Sequence, residues 1–186
     1  MKGLKHPKTE EKEIRFLSID EIYRLLDVIE NQQIRDMVLM YIHTGARRLE
    51  ILKSNFTWES VDFINKKITL LGKRQKIRSI PMDEVVAEIL RRRKNIEGQD
   101  IPFDYSYDWV YRRIKKYYKL AGIDNANVHT LRKTFGSLLV QQDVNIYTVS
   151  KLMGHSSVVV TERYYASLID RNLREGVKSL DILDIK

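Results

Sequence analysis

The sequence predicts a mostly α-helical α+β domain with one small antiparallel three-stranded sheet near residues 56–81. Three observations lead there. Apolar residues recur at helical spacing through SIDEIYRLLDVIE and IRDMVLMYIH, and again in nearly every segment after Pro81. Two β-type runs, KKITLLG and KIRSIPM, flank a turn-like GKRQ. The 186 residues are 43% hydrophobic, which suits one domain with a packed core.

Local chemistry sets the boundaries of each element. Residues 1–13 are charged, poor in large apolar side chains and contain Pro7, so they read as a linker or arm. The domain is expected over residues 14–178, with a tail at 179–186. Ser18 and Glu21 form a capping box that opens the first helix. Thr44-Gly45 stops the second, and ARRLEILK is expected as a short third, with Arg47 in its first turn. FTWESVDF supplies the candidate outer strand. After Pro81, helices are expected in DEVVAEILRRRKNI, YDWVYRRIKKYYKLAG, HTLRKTFGSLLVQQ and IYTVSKLMG, the last ended by Gly154. VVVTERYYA and LIDRNLREGVKSL follow as two more. Leu168, Ile169, Leu173, Val177 and Leu180 give the end of the chain an apolar face, either for its own domain or for a neighbouring protomer.

Composition removes several classes of chemistry. Without cysteine there is no disulfide, thiol nucleophile or cysteine-ligated metal site. No apolar run approaches the roughly 20 residues of a membrane span, and MKGLKHPKTEEKE lacks the apolar core of a signal peptide. A cytoplasmic location is the expectation. Lys and Arg number 33 against 25 Asp and Glu, a net +8 that suits a polyanionic partner such as nucleic acid. The charge is also clustered. No acidic residue lies between Trp109 and Ile123, and Arg112, Lys115, Lys116 and Lys119 share one helix face, opposite Val110, Ile114, Tyr117 and Ala121. That face is expected to contact DNA phosphates; the plainer alternative is a solvated surface.

Phosphate loops of the GxxxxGK type and HExxH metal motifs are absent from the sequence. Chemistry on phosphate would then rest on side-chain cations, and three stretches offer them. In TGARRLEIL, Arg47 and Glu50 are three residues apart. In HTLRKTF, His129 and Arg132 place an imidazole and a guanidinium on one helix face. In KLMGHSSVVVTERYYAS, His155 follows a helix-ending Gly154 and precedes Tyr164 by nine residues. Tyr164 and Tyr165 point about 100° apart on a helix, so only one can face a given phosphate.

These motifs in this order (TG-x-R-x-x-E, a Gly-Lys at a β-turn, H-x-L-R, and L-x-GH with a tyrosine nine residues on) resemble the catalytic domain of the tyrosine recombinases, the phage-integrase family. The resemblance spans roughly residues 16–167. It implies site-specific DNA recombination by strand cleavage and rejoining through a 3′-phosphotyrosine, with no metal, ATP or other cofactor. It implies Tyr164 as nucleophile, Arg47 and Arg132 on the scissile phosphate, and Glu50 supporting Arg47. Lys73 would protonate the departing 5′ oxygen, His129 would assist proton removal, and His155 would hold a phosphate oxygen. Tyr165 is left for packing or hydrogen bonding. The implied partners are double-stranded DNA and further protomers, as a tetrameric synapse of the full-length protein on the nucleoid, with no membrane. Typical members carry an N-terminal helical domain that closes around DNA, and residues 1–13 resemble the linker after it. The chain reads as an excised catalytic domain or a short member. Arg48-Leu49 and Lys133 depart from the usual residues at those places. The competing readings are a catalytically inactive DNA-binding module and a type IB topoisomerase-like relaxing enzyme.

Overall fold

A computed structural model describes residues 14–72 and 76–178. Helices α1 (Ile19–Val28) and α2 (Gln32–Thr44) come first, then strands β1 (Val61–Asp62), β2 (Lys67–Leu71) and β3 (Ile77–Pro81). Helices α3 (Glu84–Lys94), α4 (Tyr107–Leu120), α5 (Val128–Gln141), α6 (Ile146–Met153) and α7 (Val158–Lys178) follow. The strands pair antiparallel in the order β1-β2-β3, with Ile68 opposite Ile80. The expected fold class is the observed one. Residues 1–13 and 179–186, expected as arm and tail, lie outside the described residues, as does Lys73.

Several termini follow from single side chains. Ser18 Oγ accepts the Glu21 N–H at 3.1 Å, and the Glu21 carboxylate accepts the Ser18 N–H at 2.9 Å, closing the capping box on α1. Asp83, Ser106, Asn127 and Asn145 cap α3, α4, α5 and α6. Gly45 and Gly154 end α2 and α6 in the left-handed region, at φ 57° and 63°, where a side chain would be strained.

Three expectations are corrected. ARRLEILK is not a helix; it runs as turns into a short 3-10 segment, Lys53–Asn55. Competing partners explain why. The Arg47 N–H donates to the Glu50 carboxylate, Tyr41 Oη donates to the Arg48 carbonyl, and the Lys53 N–H donates to Phe103 O with Lys53 at φ 50°. FTWESVDF contributes only two strand residues, because Thr57 and Ser60 close a 3-10 turn over Trp58–Ser60 before β1 starts. The two last helical stretches are one element, α7, broken by a non-helical Tyr165 at φ −117°, ψ 17°.

Two apolar clusters fill the interior. The larger joins α1–α4 and the sheet through residues such as Leu25, Met37, Tyr41, Phe56, Ile68, Ile114 and Leu131. The smaller holds α5, α6 and α7 together through Phe135, Val140, Val149, Met153 and Tyr165, with Leu168 and Ile169 packed against it. Helix α5 belongs to both, through Leu131 on one side and Phe135 on the other. The side chains of Leu173, Val177 and Leu180 are not among those described. Between α2 and α3, buried Asp36 pairs with Arg92 and Arg93, and Arg93 also lies 4.5 Å over the Phe103 ring. No helix among the described residues is long and apolar enough to cross a membrane.

Candidate active site

Where the two clusters meet, the C-terminal ends of α2 and α6 face Arg132, in the second turn of α5. The last carbonyls of a helix lack intrahelical donors, and Arg132 supplies them. Its guanidinium donates to the Gly45 carbonyl at the end of α2 and to the Met153 carbonyl at the end of α6. The residue is 2% exposed. Burial first, then the guanidiniums of Arg47 and Arg78, press its pKa down to about 9, so it remains a cation at neutral pH.

Arg47 follows the same glycine. Its Nη1 donates to Glu50 Oε1 at 2.6 Å, its backbone N–H to Glu50 Oε2 at 2.7 Å, and its Nη2 to the Gly154 carbonyl at 2.8 Å. Glu50 is 4% exposed, and burial alone would raise its pKa. Hydrogen bonds and charge from Arg78 and Arg47 win, and hold it at about 2. Three guanidiniums against one carboxylate leave net positive charge at this junction, which favours a bound anion.

His155 begins the loop after α6. Its Nδ1 lies 2.7 Å from Thr161 Oγ1 on α7, which leaves Nε2 as the ring nitrogen with no partner among the described residues. Desolvation, followed by the charges of Arg132, Arg47 and Arg78, lowers its pKa to about 4, so the ring is neutral near pH 7. His129, in the first turn of α5, is exposed. Its pKa is also lowered, by partial desolvation and then by Arg132, Lys133, Arg47 and Arg48.

The two adjacent tyrosines have opposite surroundings. Tyr164 is 48% exposed, with its ring centroid 6.4 Å from that of His155. Tyr165 is 2% exposed, its hydroxyl reaching the Lys133 carbonyl and Met153 Sδ, each at 3.4 Å, and burial raises its pKa. The helical break at Tyr165 accompanies this change of direction.

The fold thus brings Arg47, Glu50, Arg132 and His155 together, with His129 electrostatically coupled to them and Tyr164 beside His155. Gly72, just before Lys73, closes the end of the β2–β3 hairpin by donating to the Lys76 carbonyl at 2.8 Å. A Cβ on Gly72 would lie 3.2 Å from Arg47 Nη1 and 3.3 Å from Glu50 Oε1, so the hairpin approaches the pair closely. The four cations of α4 stand apart. Arg112, Lys115, Lys116 and Lys119 are exposed and pair with no carboxylate among the described residues. Val110, Ile114, Tyr117 and Ala121 are buried as expected. Aromatic rings lie under part of this surface, with Lys115 5.9 Å from the Tyr111 centroid and Lys116 5.9 Å from that of Tyr117.

Sequence reasoning missed Arg78 and Thr161. Strand alternation carried a signal for Arg78, since it shares a face of β3 with buried Ile80. An arginine turned inward needs a partner, and here that partner is Glu50. For Thr161, which is fully buried, nothing local pointed to His155.

Residues 15–171 match the Phage integrase family. The tyrosine recombinase of Pseudothermotoga lettingae is 31% identical over 192 residues, covering 97% of this chain and 65% of its own length. The tyrosine recombinase XerA of Saccharolobus solfataricus is 27% identical over 176 residues, covering 94% of this chain and 60% of its own. The chain therefore spans about 60 to 65% of the length of these two relatives. Among solved structures, the catalytic domain of bacteriophage HP1 integrase superposes with a TM-score of 0.68 at 27% identity, covering 89% of this chain and 95% of that domain.

Proposed function

The chain belongs to the phage integrase family, and from that membership we propose that it breaks and rejoins duplex DNA at specific sites through a 3′-phosphotyrosine on Tyr164. One observation carries the assignment of Tyr164. Of two neighbouring tyrosines, one is exposed beside the His155 imidazole and the guanidinium-lined junction, and the other is buried against α5.

Arg47 and Arg132 receive the two non-bridging oxygens of the scissile phosphate. They are held by protein carbonyls and by Glu50 before DNA arrives. Charge that develops on the five-coordinate phosphorus therefore meets cations that need no reorganisation. A phenol in water loses its proton only near pH 10, so attack at neutral pH needs a base, and neutral His129 takes that proton. The Tyr164 oxygen bonds to phosphorus while the bond to the 5′ oxygen breaks, and Lys73 gives the leaving oxygen its proton. Neutral His155 donates to a phosphate oxygen through Nε2. The phosphodiester energy is kept in the tyrosine ester. A 5′ hydroxyl of another strand then attacks it and releases Tyr164, so neither ATP nor metal enters the balance. The exposed face of α4 tracks the DNA backbone, and protomers assemble on DNA as a tetrameric synapse in the cytoplasm, at the nucleoid.

Covalent trapping tests this. A nicked duplex that loses its short 5′-hydroxyl strand on cleavage is incubated with protein in EDTA and resolved on a denaturing gel. The expected result is an adduct with the wild type and with Tyr165→Phe, but not with Tyr164→Phe. An adduct that survives Tyr164→Phe would overturn the choice of nucleophile. An adduct that forms only with added divalent metal would overturn the metal-free mechanism.

A further inference from the structure

The Arg78 side chain takes no part in the steps above, yet its hydrogen bonds lead to groups that do. Its Nη1 and Nη2 donate to the two oxygens of Glu50 at 2.8 and 2.7 Å, and its Nε donates to the Leu152 carbonyl at 3.0 Å. Those same carboxylate oxygens accept from Arg47. Leu152 sits in the last turn of α6, just ahead of Gly154, whose carbonyl takes the other end of the Arg47 guanidinium. A Cβ on Gly154 would lie 2.8 Å from Arg78 Cδ, so the loop closes directly onto the Arg78 stem. Arg47 is thus supported on one side by a carboxylate and on the other by a loop, and Arg78 grips both.

Building on the recombinase reading, we propose that Arg78 is a positioning residue: anchored on β3, it fixes Arg47 and the Gly154–His155 loop in register by holding Glu50 and the Leu152 carbonyl. It touches no reacting atom. The role needs a planar two-pronged donor with a third N–H to spare, which a guanidinium has and an ammonium lacks. It also needs burial. The Arg78 side chain is 9% exposed and that of Glu50 5%, so their bonds do not exchange freely with water.

Arginine side-chain NMR of the full chain reads this without any reaction. In the wild type the Arg47 guanidinium should rotate slowly. In Arg78→Lys, which keeps the charge but loses the fork, it should become mobile, and likewise in Arg78→Gln, measured beside it in case either variant fails to fold. Circular dichroism establishes folding first. On the nicked duplex, Arg78→Lys should slow single-turnover adduct formation by about 100-fold, the scale of a small misplacement of a catalytic group, with DNA affinity changed less than about threefold and no shift of the pH profile. An Arg47 that stays rigid in a folded variant overturns the proposal. So does a loss of adduct formation that only tracks lost DNA binding. Absence of adduct with the wild type counts against the recombinase reading instead, and the NMR result still decides the role of Arg78.

Discussion

Two regions of the molecule concentrate positive charge and hold it in opposite ways. At the junction of α2, β3, α5 and α6, Arg132 is buried and the Arg78 side chain is only 9% exposed, and each guanidinium, with that of Arg47, is committed to a carbonyl or to Glu50. On α4, Arg112, Lys115, Lys116 and Lys119 stand in solvent without carboxylate partners among the described residues. Buried, committed cations are fixed before a substrate arrives and act on charge that develops during reaction. Exposed ones are screened by salt and exchange counterions with a polyanion. The junction should therefore govern rate, and α4 should govern affinity and its salt dependence.

The largest effect is expected at Arg132. Arg132→Met should lower single-turnover cleavage at saturating DNA by about 10³-fold, the upper range for removing one preorganised donor. It also leaves the Gly45 and Met153 carbonyls without their donor, which costs about 1–3 kcal/mol for each buried group left unpaired. Urea denaturation reads the second effect separately from the first. A variant that binds DNA poorly but cleaves at the normal rate once saturated would break the contrast at its strongest point.

The junction also depends on how α7 is set against α5. A Cβ on Gly136 would lie 2.1 Å from Tyr165 Oη and 2.7 Å from Met153 Sδ. Gly136→Ala should destabilise the fold by about 1–3 kcal/mol, the usual cost of overpacking, and should displace α7, which carries Tyr164. Cleavage should then fall more than DNA affinity does. Equal stability of Gly136→Ala and the wild type in urea would mean that α5 and α7 separate easily, and that the junction is not rigid.

What the sequence made legible divides along the same line. Ser18 with Glu21, Gly45, Gly154 and the apolar stripe of α4 are local signals, each readable within a few residues because a cap or a helix face is a short-range device. The approach of Arg47 to Glu50 was readable for the same reason. Arg78 was not, because Glu50 lies 28 residues away and only the turn from sheet to junction brings them together. ARRLEILK misled because its periodicity is helical, while Phe103, far along the chain, captures the Lys53 N–H. Tyr165 carried no sign that its backbone leaves the helix. Packing against Gly136 and Met153 places it there, and those contacts exist only in the folded chain.

Acid should separate the junction from α4 more gently. His155 is held at about pKa 4 in the fold, by desolvation first and then by Arg132, Arg47 and Arg78, whereas an unfolded histidine titrates near 6.5. Between those values the unfolded chain binds the proton and the native chain resists it. The stability involved is intact above about pH 6.5 and is lost as pH falls toward 4. Glu50, lowered to about 2, adds a second loss at lower pH, present above the ordinary carboxylate value and gone as pH falls through 2. His155→Gln should shrink the upper step to the share that His129 contributes and leave the lower one, read as urea midpoints at pH 7, 5.5, 4.5, 3.5 and 2.5. An unchanged upper step would mean that neither desolvation nor the junction cations hold His155 neutral.

The smallest effects should come from α4, and they sharpen the comparison most. Lys115→Ala or Lys119→Ala should reduce the slope of log affinity against log salt by about 1 each, as expected for one lost phosphate contact. Cleavage at saturating DNA should not change. The neighbouring basic run on α3 supplies the control. Arg92 looks equally basic in sequence, but its guanidinium is committed to buried Asp36. Arg92→Ala should therefore leave the salt slope alone and cost stability instead, because it removes one partner of a buried carboxylate. If Arg92→Ala lowered the slope as much as Lys115→Ala, commitment to an internal partner would not be what sorts the cations of this protein into structural and DNA-facing sets.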